Sequence, residues 1–194
     1  MIDQALLFLK GRLNAHLLLS ARAADGGASE DLVQFVDSEK LDPISFKLGG
    51  VTVLMVNVEQ ERTLRPPDLF ARPDANGTML RIQPEIRLNL FVLFVVRFKQ
   101  YEEGLGWLSK IIRYFQVNPT FDRSNAPDLG DEIERLVLEL ITLPLAQQND
   151  LWSALRTAYQ PSVLYKVGLI IYRDEAQTTI EPVRELELNP RTVP

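Results

Sequence analysis

Residues that could carry chemistry are few. The chain has one histidine, His16, set between Leu13 and Leu17 in a leucine-rich stretch. Histidine is the usual acid–base group near neutral pH, but a Ser-His-Asp arrangement needs its imidazole at the mouth of a site, not on an apolar stripe. There is no cysteine, so there is no thiolate nucleophile, no disulfide and no cysteine-based metal site. Carboxylates remain, and these suit Mg²⁺ or Ca²⁺. Asp122, Asp128 and Asp131 share one polar stretch, at a spacing unlike that of an EF-hand loop. Gly104-Leu105-Gly106 stands near an expected helix start, where backbone amides can hold a phosphate. The third glycine of the dinucleotide fingerprint is missing, and neither a Walker lysine motif nor a Gly-x-Ser-x-Gly elbow occurs. The carboxylate pairs Glu102-Glu103 and Glu185/Glu187 have no neighbour that would set one up as acid and the other as base. The sequence assigns no catalytic residue, no cofactor and no metal ligand, and we expect no enzyme activity.

Composition narrows the partner class. The chain is 46% hydrophobic and 24% charged over 194 residues, with a formal net charge of −5, which suits an ordinary globular domain. A net acidic chain is a poor partner for nucleic acid, because phosphate binding relies on an excess of Lys and Arg. The longest apolar stretch, residues 90–96, falls far short of the roughly 20 residues that cross a bilayer. Asp3 sits where a signal peptide is basic, and Lys10 and Arg12 interrupt the apolar run behind it. We expect no membrane insertion, and synthesis and assembly in the cytoplasm. Protein remains as the partner.

The elements that would position any site read as follows. Residues 2 to about 22 form a helix, with Ile2, Leu6, Leu9, Leu13 and Leu17 on one stripe. A short strand is expected at residues 32–36, and a valine-rich strand from Val51 to about Glu61. Residues 64–84 form a long irregular segment with Pro66, Pro67, Pro73 and Pro84 and an Asn76-Gly77 turn signal. Residues 85–98 alternate with period two and stay apolar on both faces in the middle, the pattern of a central strand. A helix from Tyr101 to about Gln116 stops at Asn118-Pro119. After a polar loop over 118–131 come a strand at 133–141, a helix from Pro144 to about Tyr159, and a strand at 163–172. One edge strand is expected at 183–188. This order predicts an α+β fold, a single domain with a mixed or antiparallel sheet and three helices. Residues 1–175 make the domain, and 176–194 an acidic, proline-containing tail. Helix and strand aromatics are expected in the core, whereas Leu69, Phe70 and Phe121, on loops, are candidate interface residues.

Four stretches, taken in order, carry a resemblance. They are Val51-Thr-Val-Leu-Met-Val-Asn-Val-Glu through Arg65, and Pro84-Glu-Ile-Arg-Leu-Asn-Leu-Phe-Val-Leu-Phe. Next comes Tyr101-Glu-Glu-Gly-Leu-Gly-Trp-Leu running into Asn118-Pro-Thr-Phe-Asp, and last Leu151-Trp-Ser-Ala-Leu followed by Pro161-Ser-Val-Leu-Tyr-Lys-Val. With the amphipathic first helix, they resemble the N-terminal domain of the cap, or tail-terminator, proteins of extracellular contractile injection systems, particles built like phage tails. The resemblance implies a ring of copies, a homo-hexamer, that ends inner-tube polymerisation and binds the last layer of sheath protein. It adds Arg65 to the candidate interface residues. Pro66 departs from the polar residue expected after that arginine. The chain also ends soon after the domain, without the C-terminal extension of longer relatives. A phage tail-completion protein is the alternative of the same class, and a small hydrolase or ligand-binding domain the alternative of another.

Overall fold

The computed structural model describes residues 1–25, 31–37, 44–61, 71–73, 79–81, 87–171 and 178–179. Helix α1 (Ile2–Asp25) forms on the leucine stripe: Ala5, Leu9, Leu13 and Leu17 are all fully buried along one face at four-residue steps. Then come β1 (Val33–Phe35) and the long β2 (Gly50–Gln60), the short pair β3 (Ala71–Pro73) and β4 (Met79–Arg81), and β5 (Arg87–Arg97). Helix α2 (Tyr101–Val117) leads to β6 (Thr120–Asp122) and β7 (Ile133–Ile141). Helix α3 (Leu145–Ala154), β8 (Ser162–Ile171) and β9 (Thr178–Thr179) follow.

Six strands make one sheet in the order β1-β2-β5-β8-β7-β6, and β3, β4 and β9 make a second of three strands. The large sheet is mixed, since β1 runs parallel to β2 while every other pair is antiparallel. β5 is flanked on both sides, as its doubly apolar middle requires. Leu90, Val92, Phe94 and Val96 face one layer and Leu93 and Val95 the other, all buried. α1 and α2 cover the first face. Phe94, Phe115 and Tyr165 meet there with ring centroids 5.0 to 5.9 Å apart, an arrangement that adds to the burial of their area. α3 covers part of the second face, where Trp152 and Phe46 meet edge-on at 5.9 Å over Leu93, Val95 and Leu164.

Two details set how the sheet begins. Gly50 carries the chain past the backbone of Leu32, and a Cβ there would lie 2.9 Å from the Leu32 carbonyl oxygen. That same oxygen accepts the Val51 N–H at 2.8 Å. From α1, the Asn14 side-chain oxygen accepts the N–H groups of both Leu32 and Val33 at 3.0 Å, and its amide donates to Asp31 at 2.7 Å. One mid-helix polar residue thereby closes the outer side of β1 where it starts.

The structure departs from expectation in three places. α3 stops at Ala154 and not near Tyr159, because Arg156 takes a left-handed φ of 52° and its N–H turns back to the Ser153 carbonyl at 3.1 Å. The expected irregular segment contains the antiparallel β3–β4 pair. The polar stretch 118–131 contains β6 and a compact turn with Ala126 and Leu129 buried under it. The strand expected at 183–188 lies outside the described residues.

Candidate assembly surfaces

The acidic cluster does not converge. The Asp122 carboxylate accepts the N–H and hydroxyl of Ser124, which holds its pKa below the usual carboxylate value. Asp128 pairs with Arg12 on α1, and Arg123 reaches the Asp131 carbonyl at 2.8 Å. Among the described residues no group of three or more acidic or imidazole side chains is arranged to hold a metal ion. His16 is half-buried, with its ring 4.7 Å from Tyr114; burial raises the pKa of that tyrosine. Gly104 and Gly106 lie inside α2. A Cβ on Gly104 would meet Val96 at an ordinary 3.8 Å, and one on Gly106 would meet nothing within 4 Å. The glycines therefore answer no packing demand.

Of the candidate interface residues, Arg65, Leu69 and Phe70 lie outside the described residues. Phe121 is only 5% exposed and packs edge-on against Phe8, with centroids 5.2 Å apart. Its ring is part of its own core, so a substitution there reports on folding first.

Exposed apolar side chains lie on the helices, Leu7, Leu19, Tyr101, Val117 and Leu145 among them, and also at the two sheet edges. β1 covers β2 only at Val51, Thr52 and Val53. Beyond them no described residue pairs with the outer side of β2, and Met55 and Val58 are 37% and 38% exposed. A bulge between Met55 and Asn57 bends the strand there. Asn57 folds its amide back, accepting the Val58 N–H and donating to Glu59. On the opposite edge β6 covers β7 at Arg135, Leu136 and Val137, and Leu138 donates to the Pro119 carbonyl. Glu139 to Ile141 have no outer partner among the described residues, and Leu140 is 47% exposed. Beside Leu140 and Ile141 opens an apolar cavity of about 270 Å³, lined also by Ile112, Leu143, Leu151 and Trp152. A second depression, of about 220 Å³, lies over Asn89, Gly168 and the Glu139–Lys166 ion pair, whose N···O distance is 2.6 Å.

Sequence reasoning missed these edges because the valines of β2 read as core. The signal was a mismatch of length: a strand of about five residues cannot guard a neighbour of eleven.

The described residues thus make a single-domain α+β fold, a mixed sheet with helices on both faces, and hold no group of side chains arranged for a metal ion. The fold matches the cryo-EM structure of the sheath/tube terminator of PVC, an extracellular contractile injection system, in its extended state. The match has a TM-score of 0.60 at 13% identity and takes in 100% of this chain and 64% of that one. The chain thus spans just under two thirds of that terminator's own length. The anti-feeding prophage tube-terminating cap aligns more weakly, with a TM-score of 0.46 and 14% identity over 72% of this chain and 48% of that one, and carries no further weight. No curated protein matches. The family model of the Pvc16 N-terminal domain matches residues 6–185; the chain belongs to that family.

Proposed function

We propose that this chain is the terminator of a contractile injection particle. Copies close into a ring, a homo-hexamer, which ends inner-tube growth and seats the last sheath layer without catalysing a reaction. Residues 1–175 form the ring. The particle assembles in the cytoplasm and needs neither nucleic acid nor membrane at this end. The observation that carries the reading is family membership over residues 6–185 together with a terminator fold that takes in the whole chain. The surface agrees: it carries exposed apolar side chains on its helices and sheet edges, groups that a protein partner could cover.

A direct test mixes the purified protein with inner-tube subunits and measures tube lengths by electron microscopy. Lengths should shorten as the ratio of this protein to tube subunit rises, with density at one tube end. Unlimited growth at every ratio would overturn the reading. Sheath seating is read separately, by whether sheath subunits co-sediment with capped tubes and not with bare ones.

A further inference from the structure

We infer that a second copy of this chain docks on the outer face of α1, the two helices lying antiparallel about a two-fold axis. The inference goes beyond the terminator reading and does not rest on it, because a two-fold contact ends at two copies and adds no step round a ring.

The buried row of α1 is Ala5, Leu9, Leu13 and Leu17. Two residues further on, Leu7, Gly11, Ala15 and Leu19 repeat the same four-residue step. That places them about 200° round the helix, on the side facing away from the sheet. All four are exposed, Leu7 at 56% and Leu19 at 67%. A surface helix ordinarily carries charge on that side. Here the polar side chains between the two leucines are turned off it. Lys10 pairs with Asp31 and Arg12 with Asp128, Asn14 holds the start of β1, and the His16 ring lies on Tyr114. An uncharged row about 18 Å long remains. Gly11 stands in it with nothing within 4 Å of where its Cβ would be, so the chain's own packing calls for no glycine there. A glycine weakens a helix interior, and what it offers in return is room for another backbone to approach.

The layout of the row says what covers it. It reads the same from either end: large, small, small, large, with Asp3 in the first turn of the helix and Arg22 in the last. Two copies laid antiparallel about a midpoint at Leu13 bring Leu7 of each against Leu19 of the other, and Gly11 against Ala15. The same register sets the acidic start of each helix beside the basic end of the other. The small residues then lie at the crossing, where two helices approach most closely, and the leucines close over them on both sides. A parallel pair would set Asp3 against Asp3 and Arg22 against Arg22, and would align the two helix dipoles. Sliding one copy by a turn removes every one of these matches. Mirrored halves within one patch are what an isologous contact requires, in which residue i meets j and j meets i. A partner of different sequence would place no such demand on the row.

The free protein, without tube subunits, is the sample that tests this. Leu7→Cys and Leu19→Cys are changes at exposed positions of a chain that has no cysteine. Each variant is checked for an unchanged circular dichroism spectrum and treated with a short thiol cross-linker over a concentration series, with mass followed by light scattering. Mixing the two single variants should give linked dimers. The double variant should give dimers linked twice and nothing larger, and Leu7→Cys alone should give none. The parent chain's mass should double with concentration, whereas that of Ala15→Glu, altered at the exposed centre of the row, should stay at one copy. A parent chain that remains monomeric throughout, a Leu7→Cys variant that links to itself, a ladder of larger species from the double variant, or dimers that survive Ala15→Glu would each overturn the contact. Tubes that grow without limit in the length assay would overturn the terminator reading and leave this contact standing.

Discussion

Replacing Asn14 with Ala should destabilise the protein, even though alanine is the better helix former. In α1 the substitution gains about 0.6 kcal/mol of helix propensity. Against this, the half-buried N–H groups of Leu32 and Val33 lose the oxygen they share at 3.0 Å, and Asp31 loses a donor at 2.7 Å. A buried donor left without a partner costs about 1–3 kcal/mol. Because water reaches part of this edge, the lower half of that range applies to each group. The net loss should be about 1.5–2.5 kcal/mol, or a fall in Tm of roughly 4–8 °C for a chain of this size. Urea unfolding followed through Trp107 and Trp152 would measure it, with the m-value unchanged. Asn14→Asp keeps the acceptor but sets a second carboxylate against Asp31, so its loss should be smaller and should shrink on acidification. A neutral or stabilised Asn14→Ala would mean that propensity wins, and that β1 is not held from α1 as described.

Three further outcomes follow from the same geometry. Gly104→Ala and Gly106→Ala should each stabilise the protein by about 0.5–1 kcal/mol, seen as a higher urea midpoint, since neither added Cβ meets an obstacle. Phe121→Ala should cost about 3–5 kcal/mol of stability through loss of a core ring, while its effect on capping, assayed well below the melting temperature, should be slight. Burial raises the pKa of Tyr165 to about 12. The unfolded chain therefore releases this proton near pH 10, before the native state does, and the stability contributed below pH 10 is lost as pH rises through about 12. The slope should approach about 1.4 kcal/mol per pH unit in that interval, and Tyr165→Phe should flatten it in alkaline urea titrations.

Much of the fold was legible because its elements obey one periodicity each. β5 alternates and stays apolar on both faces, so a central place for it followed from the residues alone, and α1 carries one leucine stripe from end to end. Where a single residue overrides its neighbours, the sequence was silent. Arg156 in a left-handed conformation ends α3 with no glycine to announce it. Asn14 reads as an ordinary polar position on a helix, although its oxygen serves two strand amides. The open sheet edges were illegible for a different reason. Met55 and Val58 have the composition of a buried strand, and their exposure depends on how far β1 extends, which is a property of a distant segment. Phe121 shows the converse. It was read as a loop aromatic in search of a partner, and Phe8, more than a hundred residues away in sequence, supplies that partner within the chain.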